Sequence, residues 1–370
     1  SEMCIRDRRL AYLPSISFEP SGTLRSVDGN AMTKSYDIAA SASWEVDIFG
    51  KLTNAKRGAK AALEQSEAYR QAVQTQLIAT IANSYYSLLM LDAQLDISER
   101  TAAIWGENVR AMKALKAAGD ATQLAVAQSE ASKLSVDASI ASLRQQIDQM
   151  ENTLTALLGI APQKIDRTTI GEQRFPTELA AGVPLQLLQR RPDVRQSEAA
   201  LAQAFYATNA ARAAFYPSIT LSGSAGWTNA AGAAITNPGQ WLFTAVGSLV
   251  QPLFNRGKNI ANLRIAKAQQ EEALLSFRQS LLDAGTDVNN ALIQWQTARQ
   301  RQQIDQQQIL SLESTVRSSE LLMQYSSQNY LEVLTARQTL LQAELTAVSD
   351  RFDEIQGVIN LYHALGGGAE

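Results

Sequence analysis

The chain has 370 residues, 33 Lys/Arg against 36 Asp/Glu, a formal net charge of −3 and a mean hydropathy of −0.15. A near-neutral balance leaves no basic footprint for nucleic acid, and one cysteine with one histidine argues against a disulfide framework, a metal site or a Ser/His/Asp triad. No apolar run approaches the roughly 20 residues of a transmembrane helix, which excludes a helical membrane protein and leaves a membrane β-barrel open, since strands betray themselves only by alternation.

In chain order, strands are expected at about 11–25 and 35–49. From Tyr36 to Ile48 the apolar set Tyr36, Ile38, Ala40, Ala42, Trp44, Val46, Ile48 interleaves with Asp37, Ala39, Ser41, Ser43, Glu45, Asp47. A period of two means one apolar and one polar face. A helix then runs over 51–118, turns at Gly119-Asp120-Ala121-Thr122 and returns over 123–158. No proline falls between Lys51 and Ala161 or after Pro252, and both stretches are rich in Ala, Gln, Leu and Glu. Helices several-fold longer than the usual 11–12 residues must be coiled coils or a helical barrel. Residues 159–191 form a proline-bearing equatorial linker. Pro192 suits the first position of a helix at 192–214. Strands follow at about 215–228 and, more weakly alternating, 241–254. A second long helix spans 258–325, turns at Ser326-Ser327-Gln328-Asn329 and returns over 330–365, where His363 fits a last-turn role. Gly50 and Gly257 mark the strand-to-helix junctions.

The long helices carry seven-residue apolar series: Ile81, Leu88, Leu95, Ala102, Val109 in the first, and Leu274, Leu281, Val288, Trp295, Gln302, Ile309, Val316, Met323 in the second. A companion series, Phe277, Ala284, Ala291, Ala298, Asp305, Leu312, fills the adjoining seam. This period implies left-handed supercoiling against neighbouring helices.

The chain is also a tandem duplication. Arg9-Leu-Ala-Tyr-Leu-Pro-Ser-Ile-Ser17 matches Arg212-Ala-Ala-Phe-Tyr-Pro-Ser-Ile-Thr220, and Leu124-Ala-Val126 matches Leu331-Glu-Val333. Residues 9–158 form copy one and 192–370 copy two. Each strand is long enough to cross a bilayer core, which takes about 9–11 tilted residues, with Tyr36, Trp44, Trp227 and Trp241 placed as an aromatic girdle. A soluble sandwich fits the periodicity equally. Four strands cannot close a barrel, for which about eight are needed, and open edges do not survive in lipid. In a membrane several chains must therefore share one barrel, and three would supply twelve strands.

At Gly182-Val-Pro-Leu-Gln-Leu-Leu-Gln-Arg-Arg-Pro-Asp-Val-Arg195, Ala199-Ala-Leu201, Ala211-Arg-Ala-Ala-Phe-Tyr-Pro-Ser-Ile219 and Tyr330-Leu-Glu-Val-Leu-Thr-Ala-Arg-Gln-Thr-Leu-Leu-Gln-Ala-Glu344, the chain resembles the TolC-like outer-membrane factors, in the branch of lipoproteins of RND efflux systems. The resemblance covers residue 9 onward. It implies a mixed α and β membrane channel: a homotrimeric twelve-strand β-barrel in outer-membrane lipid of a Gram-negative bacterium, four strands per chain, continued by a long α-helical barrel through the periplasm. The partners implied are a periplasmic adaptor protein and an inner-membrane RND pump, and the function is passive efflux of drugs or other small molecules. The alternatives are a type I protein secretion channel, a periplasmic adaptor with a single hairpin, and, weakest, an enzyme.

The resemblance also assigns surfaces. Helix tips docking the adaptor would be Gly119, Asp120, Thr122, Leu124, Ser326, Asn329 and Leu331. A periplasmic constriction would use Leu331, Glu332, Thr335 and Gln338, with Thr335 where relatives carry Asp and Gln338 where some carry a base. Glu19, Ser43, Glu45, Asp47, Thr220 and Ser222 would face the lumen; Tyr36, Ile38, Trp44, Val46, Trp227, Trp241 and Phe243 would face lipid. Arg190, Arg191 and Arg195 read as a surface cluster beside Asp193. Residues 1–8 read as a leader foreign to the family, Cys4 lacks the small-residue context of a lipidated cysteine, and only residues 9–11 remain of the copy-one counterpart of helix 192–214. No catalytic residue, metal or cofactor is expected.

Overall fold

A computed structural model describes residues 2–26, 33–174, 190–228, 240–325 and 330–368. The elements are α1 (Glu2–Leu10), β1 (Ser15–Arg25), β2 (Thr33–Val46), α2 (Lys51–Ala118), α3 (Gln123–Leu158), α4 (Pro192–Ala213), β3 (Ser218–Thr228), β4 (Gln240–Val250), α5 (Lys258–Tyr325) and α6 (Tyr330–Ala364), with a short 3-10 turn at Ile170–Glu172.

Two differences from the sequence reading have local causes. Residues 2–8 are helical and belong to α1, which stops at Leu10, the residue that the 203-residue repeat offset pairs with Ala213, the end of α4. The second strand stops at Val46 rather than 49, because Asp47 turns its carboxylate to the start of α2.

The residues cluster into two compact units that cut across the duplication. One comprises Ser1–Arg70 with Pro192–Leu281, the other Gln71–Arg191 with Leu282–Glu370. Each takes residues from both copies, so the copies are units of sequence and not of packing. The first unit holds a four-stranded antiparallel sheet in chain order β1-β2-β3-β4. Gly226 is required: a Cβ there would lie 2.2 Å from the Ile38 carbonyl oxygen.

In the second unit the heptad seams are buried. On α5 Ala284, Val288, Ala291, Trp295 and Ala298 are all buried, as are Leu88 and Val109 on α2. Leu88, Leu91, Ile147 and Leu154 form one α2–α3 cluster, and a second joins Trp105 of α2, Val136 and Ile140 of α3 and Leu334 of α6. Gly357 lets α6 approach α5 closely, since a Cβ there would sit 2.9 Å from the Trp295 nitrogen.

Candidate channel surfaces

Strand register decides which side chains share a face of the sheet. Ser17 pairs with Ser41, Ser41 with Ser224, and Ser224 with Thr244, so four hydroxyls form one cross-strand ladder. Ser15, Ser43 and Ser222 lie in the next polar ladder, and Glu19, Glu45 and Thr220 on the same face. The intervening ladders are apolar: Phe18, Ala40, Ala225, Phe243, and then Pro20, Ile38, Trp227, Trp241. Tyr36, Trp44 and Val46 belong to that face as well. The strands thus place the expected lumen and lipid sets on opposite faces, except for Asp47.

The apolar face is exposed: Ile16, Phe18, Phe243 and Leu249 each keep more than 60 % of their surface. Trp227 and Trp241 meet with ring centroids 4.4 Å apart, and Phe243 stacks on Trp241 at 5.9 Å. On the polar face the hydroxyls satisfy one another: Ser17 and Ser41 are 2.7 Å apart, and Ser15 donates to the Ser43 carbonyl at 3.2 Å. The weak alternation of β4 has a simple cause, since its polar-face positions are Leu242, Thr244, Val246, Ser248 and Val250.

Asp47 belongs to the junction. Its carboxylate accepts from the Leu52 N–H at 3.1 Å and from the Thr53 N–H and hydroxyl at 2.7 Å each. These bonds satisfy orphan donors at the start of α2. Burial pushes the Asp47 carboxyl up, but the Thr53 and Leu52 bonds outweigh it and hold the group below its ordinary value. Gly50 supplies the left-handed turn (φ 75°), and Lys51 pairs with Glu45 at 2.8 Å. The β4-to-α5 junction uses two left-handed residues instead, Arg256 (φ 48°) and Gly257 (φ 74°).

At the tip of the α2–α3 hairpin Gly119 (φ 89°) ends α2. Its N–H donates to Lys116 and that of Asp120 to Leu115, the paired bonds of a left-handed C-terminal stop. Thr122 caps α3 by accepting from the Ala125 N–H at 3.2 Å. Leu124 remains 63 % exposed one residue into α3. Ser326 and Asn329 lie outside the described residues. Leu331, Glu332, Thr335 and Gln338 share the exposed face of the first two turns of α6, while Val333, Leu334 and Ala336 are buried behind them.

The arginine cluster divides. Arg191 is 4 % exposed and is no surface residue. Its guanidinium donates to the Ala364 carbonyl at 3.1 Å and pairs with Asp287 at 2.9 Å, stapling the end of α6 to α5. Alternation and heptad counting could not have found it; the neighbouring Arg190 is exposed. Sequence reasoning also missed Arg167, whose guanidinium joins Asp92 of α2, at 2.9 Å for its Nη2, to the buried Glu151 of α3.

Comparison with known proteins agrees with this arrangement. The chain matches the family described as outer membrane efflux protein over residues 5–160 and 183–367. It is 33% identical over 353 residues to the pyoverdine export outer membrane protein OpmQ of Pseudomonas aeruginosa, covering 94% of this chain and 73% of that protein. It is 29% identical over 358 residues to the cation efflux system protein CusC of Escherichia coli K12, covering 96% of this chain and 78% of the relative. A solved structure of CusC superposes with a TM-score of 0.92 at 28% identity, over 99% of this chain and 86% of that one.

Proposed function

This chain belongs to the outer membrane efflux protein family and is an outer-membrane channel of an efflux system, and on that premise we propose that three copies build one pore. The observation that carries the proposal is the sheet: polar and apolar ladders segregate across four antiparallel strands, and β1 and β4 each pair on one side only among the described residues. Such an edge is not tolerated in lipid, and β1 of one copy against β4 of the next closes the barrel. The serine ladders then line water, and Phe18, Trp44, Trp227 and Phe243 face acyl chains.

Gly119, Asp120, Thr122 and Leu124 form an adaptor-docking tip, with Ser326, Asn329 and Leu331 as its counterpart in copy two. Leu331, Glu332, Thr335 and Gln338 narrow the periplasmic end. With Thr335 and Gln338 neutral, the closed state rests less on a ring of ion pairs than on packing and on Glu332. The energy comes from an inner-membrane pump reached through the adaptor, and the channel is a passive conduit for small molecules. The relatives' names, cation efflux and pyoverdine export, mark the breadth of cargo such a channel passes.

The test is reconstitution of the purified chain in planar bilayers together with chemical cross-linking in detergent. A trimeric adduct and single-channel steps are expected. A monomer as the sole cross-linked species would overturn the shared barrel. Bulky charges placed together at Gly119, Leu124 and Leu331 are expected to abolish export in cells with trimer and conductance retained, and unchanged export would reject the docking assignment.

A further inference from the structure

The mostly small-residue seam of α5 carries one charged member. Ala284, Ala291 and Ala298 are buried along α5, and the next member of that series is Asp305, only 7 % exposed. Across the seam stands Asp350 of α6, 5 % exposed. The Asp350 carboxylate accepts from Arg301 of α5, which also holds Asp353 at 2.6 Å. Arg301 and Gln302 both reach Asp350 from α5 one turn before Asp305, which puts the two carboxyls at one level of the seam, and Asp305 Oδ2 is buried without a donor among the described residues.

Two ionised carboxylates in contact and out of water repel, and one proton turns that repulsion into a strong O–H···O⁻ bond. A proton on Asp350 supplies such a bond with its carboxyl as donor and the Asp305 carboxylate as acceptor. The charged groups acting on Asp350 are Arg301 and Asp305 from α5 and Asp353 on its own helix. Arg351 is turned away, to Glu354 and the Gln173 carbonyl, and the neutral Gln302 donates to the Asp350 carbonyl and to Glu354. Along the same helix α2 presents the neutral Gln94 to Ser349, while its Arg100 acts on Glu344. One arginine therefore faces three carboxylates.

We propose that Asp305 and Asp350 hold a single proton between them and form an acid-set clasp across the α5–α6 seam, closed in an acidic periplasm and released as the medium approaches neutrality. Released, the seam must admit water or part at this level, and the α5–α6 hairpin gains freedom. Burial and the Asp305 contact lift the Asp350 carboxyl to about 6 against the pull of Arg301. The fold thus keeps a proton that the unfolded chain has lost. The stabilisation is complete below the unfolded value of about 4 and is lost as the pH rises through about 6.

The 370-residue chain in detergent tests this through the infrared carbonyl band of protonated carboxylic acids, followed from pH 4 to 9, together with thermal unfolding. Glu344 is also raised by burial, so E344Q is the background for every comparison. In that background one acid band is expected to titrate near pH 6 and to vanish in D350N. In D305N the introduced side-chain amide donates to a carboxylate, and the proton affinity of Asp350 is expected to fall at least tenfold. The fall in unfolding temperature between pH 5 and pH 8 should be flattened in the same variant. D305N keeps the Arg301–Asp350 ion pair, so it carries the test should D350N not assemble. A spectrum at pH 5 that D350N leaves unchanged, or equal pH dependence of unfolding with and without Asp305, overturns the clasp.

Discussion

Asp47 shows what one carboxylate does when it leaves a strand. It accepts from two backbone N–H groups and one hydroxyl, and Ala at this position should cost about 1–2 kcal/mol, the usual value of a helix cap. Because the folded chain holds its carboxyl low, that stabilisation is present above the unfolded value and is lost as the pH falls through the folded one. The unfolding temperatures of wild type and D47A should therefore differ at pH 7 and converge in strong acid. Arg191 is the opposite case, a buried cation whose donors reach helix carbonyls. Arg191→Met should destabilise by about 2–4 kcal/mol, since carbonyls left without a donor cost about 1–3 kcal/mol each. Proteolysis starting at the end of α6 would report it first. Neither role was legible beforehand. Asp47 fits the polar set of an alternating strand, and nothing local separates a strand residue from a cap one position beyond it. Arg191 sits in a run of arginines, and its burial depends on helices more than 90 residues away.

Among the elements, the helices were the most legible, because their signals are local. Gly119, Gly159 and Gly366 each end a helix in the left-handed conformation with paired backbone bonds behind them, and the heptad series named the buried seam of α5. Strand register was less so: alternation sorts faces, but only pairing shows that Ser17, Ser41 and Ser224 stand abreast. That sorting can be measured. A lysine at Ala40 or Ala42, on the apolar face in the middle of β2, should cost about 2–4 kcal/mol of membrane stability, whereas the same residue at Ser41 should be tolerated, and heat-stable assembly on gels separates the two. The α5–α6 seam gives a second case. Gly357→Ala improves intrinsic helix propensity by about 1 kcal/mol, but its Cβ would lie 2.9 Å from the Trp295 nitrogen. Backbone cannot yield as a flexible side chain does, so overpacking of about 1–3 kcal/mol wins and the variant should melt lower.

At the scale of the whole chain, the duplication does not mark out the compact units. Residues 1–70 cluster with 192–281, and residues 71–191 with 282–370. The sheet shows the same thing in miniature, since Asp37 on β2 pairs with Thr228 on β3 and the Thr228 hydroxyl donates to the Tyr36 carbonyl. This bears on the order of events during synthesis. Copy one pairs β1 with β2 and packs α2 on α3, but it cannot complete either unit by itself, because β2 meets β3 and Trp105 meets Leu334 only when residues some 200 positions later arrive. Closing a loop of that length is entropically costly before any contact repays it, and chains dominated by such pairings fold slowly. Until then the apolar ladder of β1 and β2 has no lipid and no neighbour, and two strands alone are marginal in water. A chain so arranged has to be shielded while it waits, and a periplasmic holdase that delays aggregation should raise the yield of assembled channel more than any single stabilising substitution.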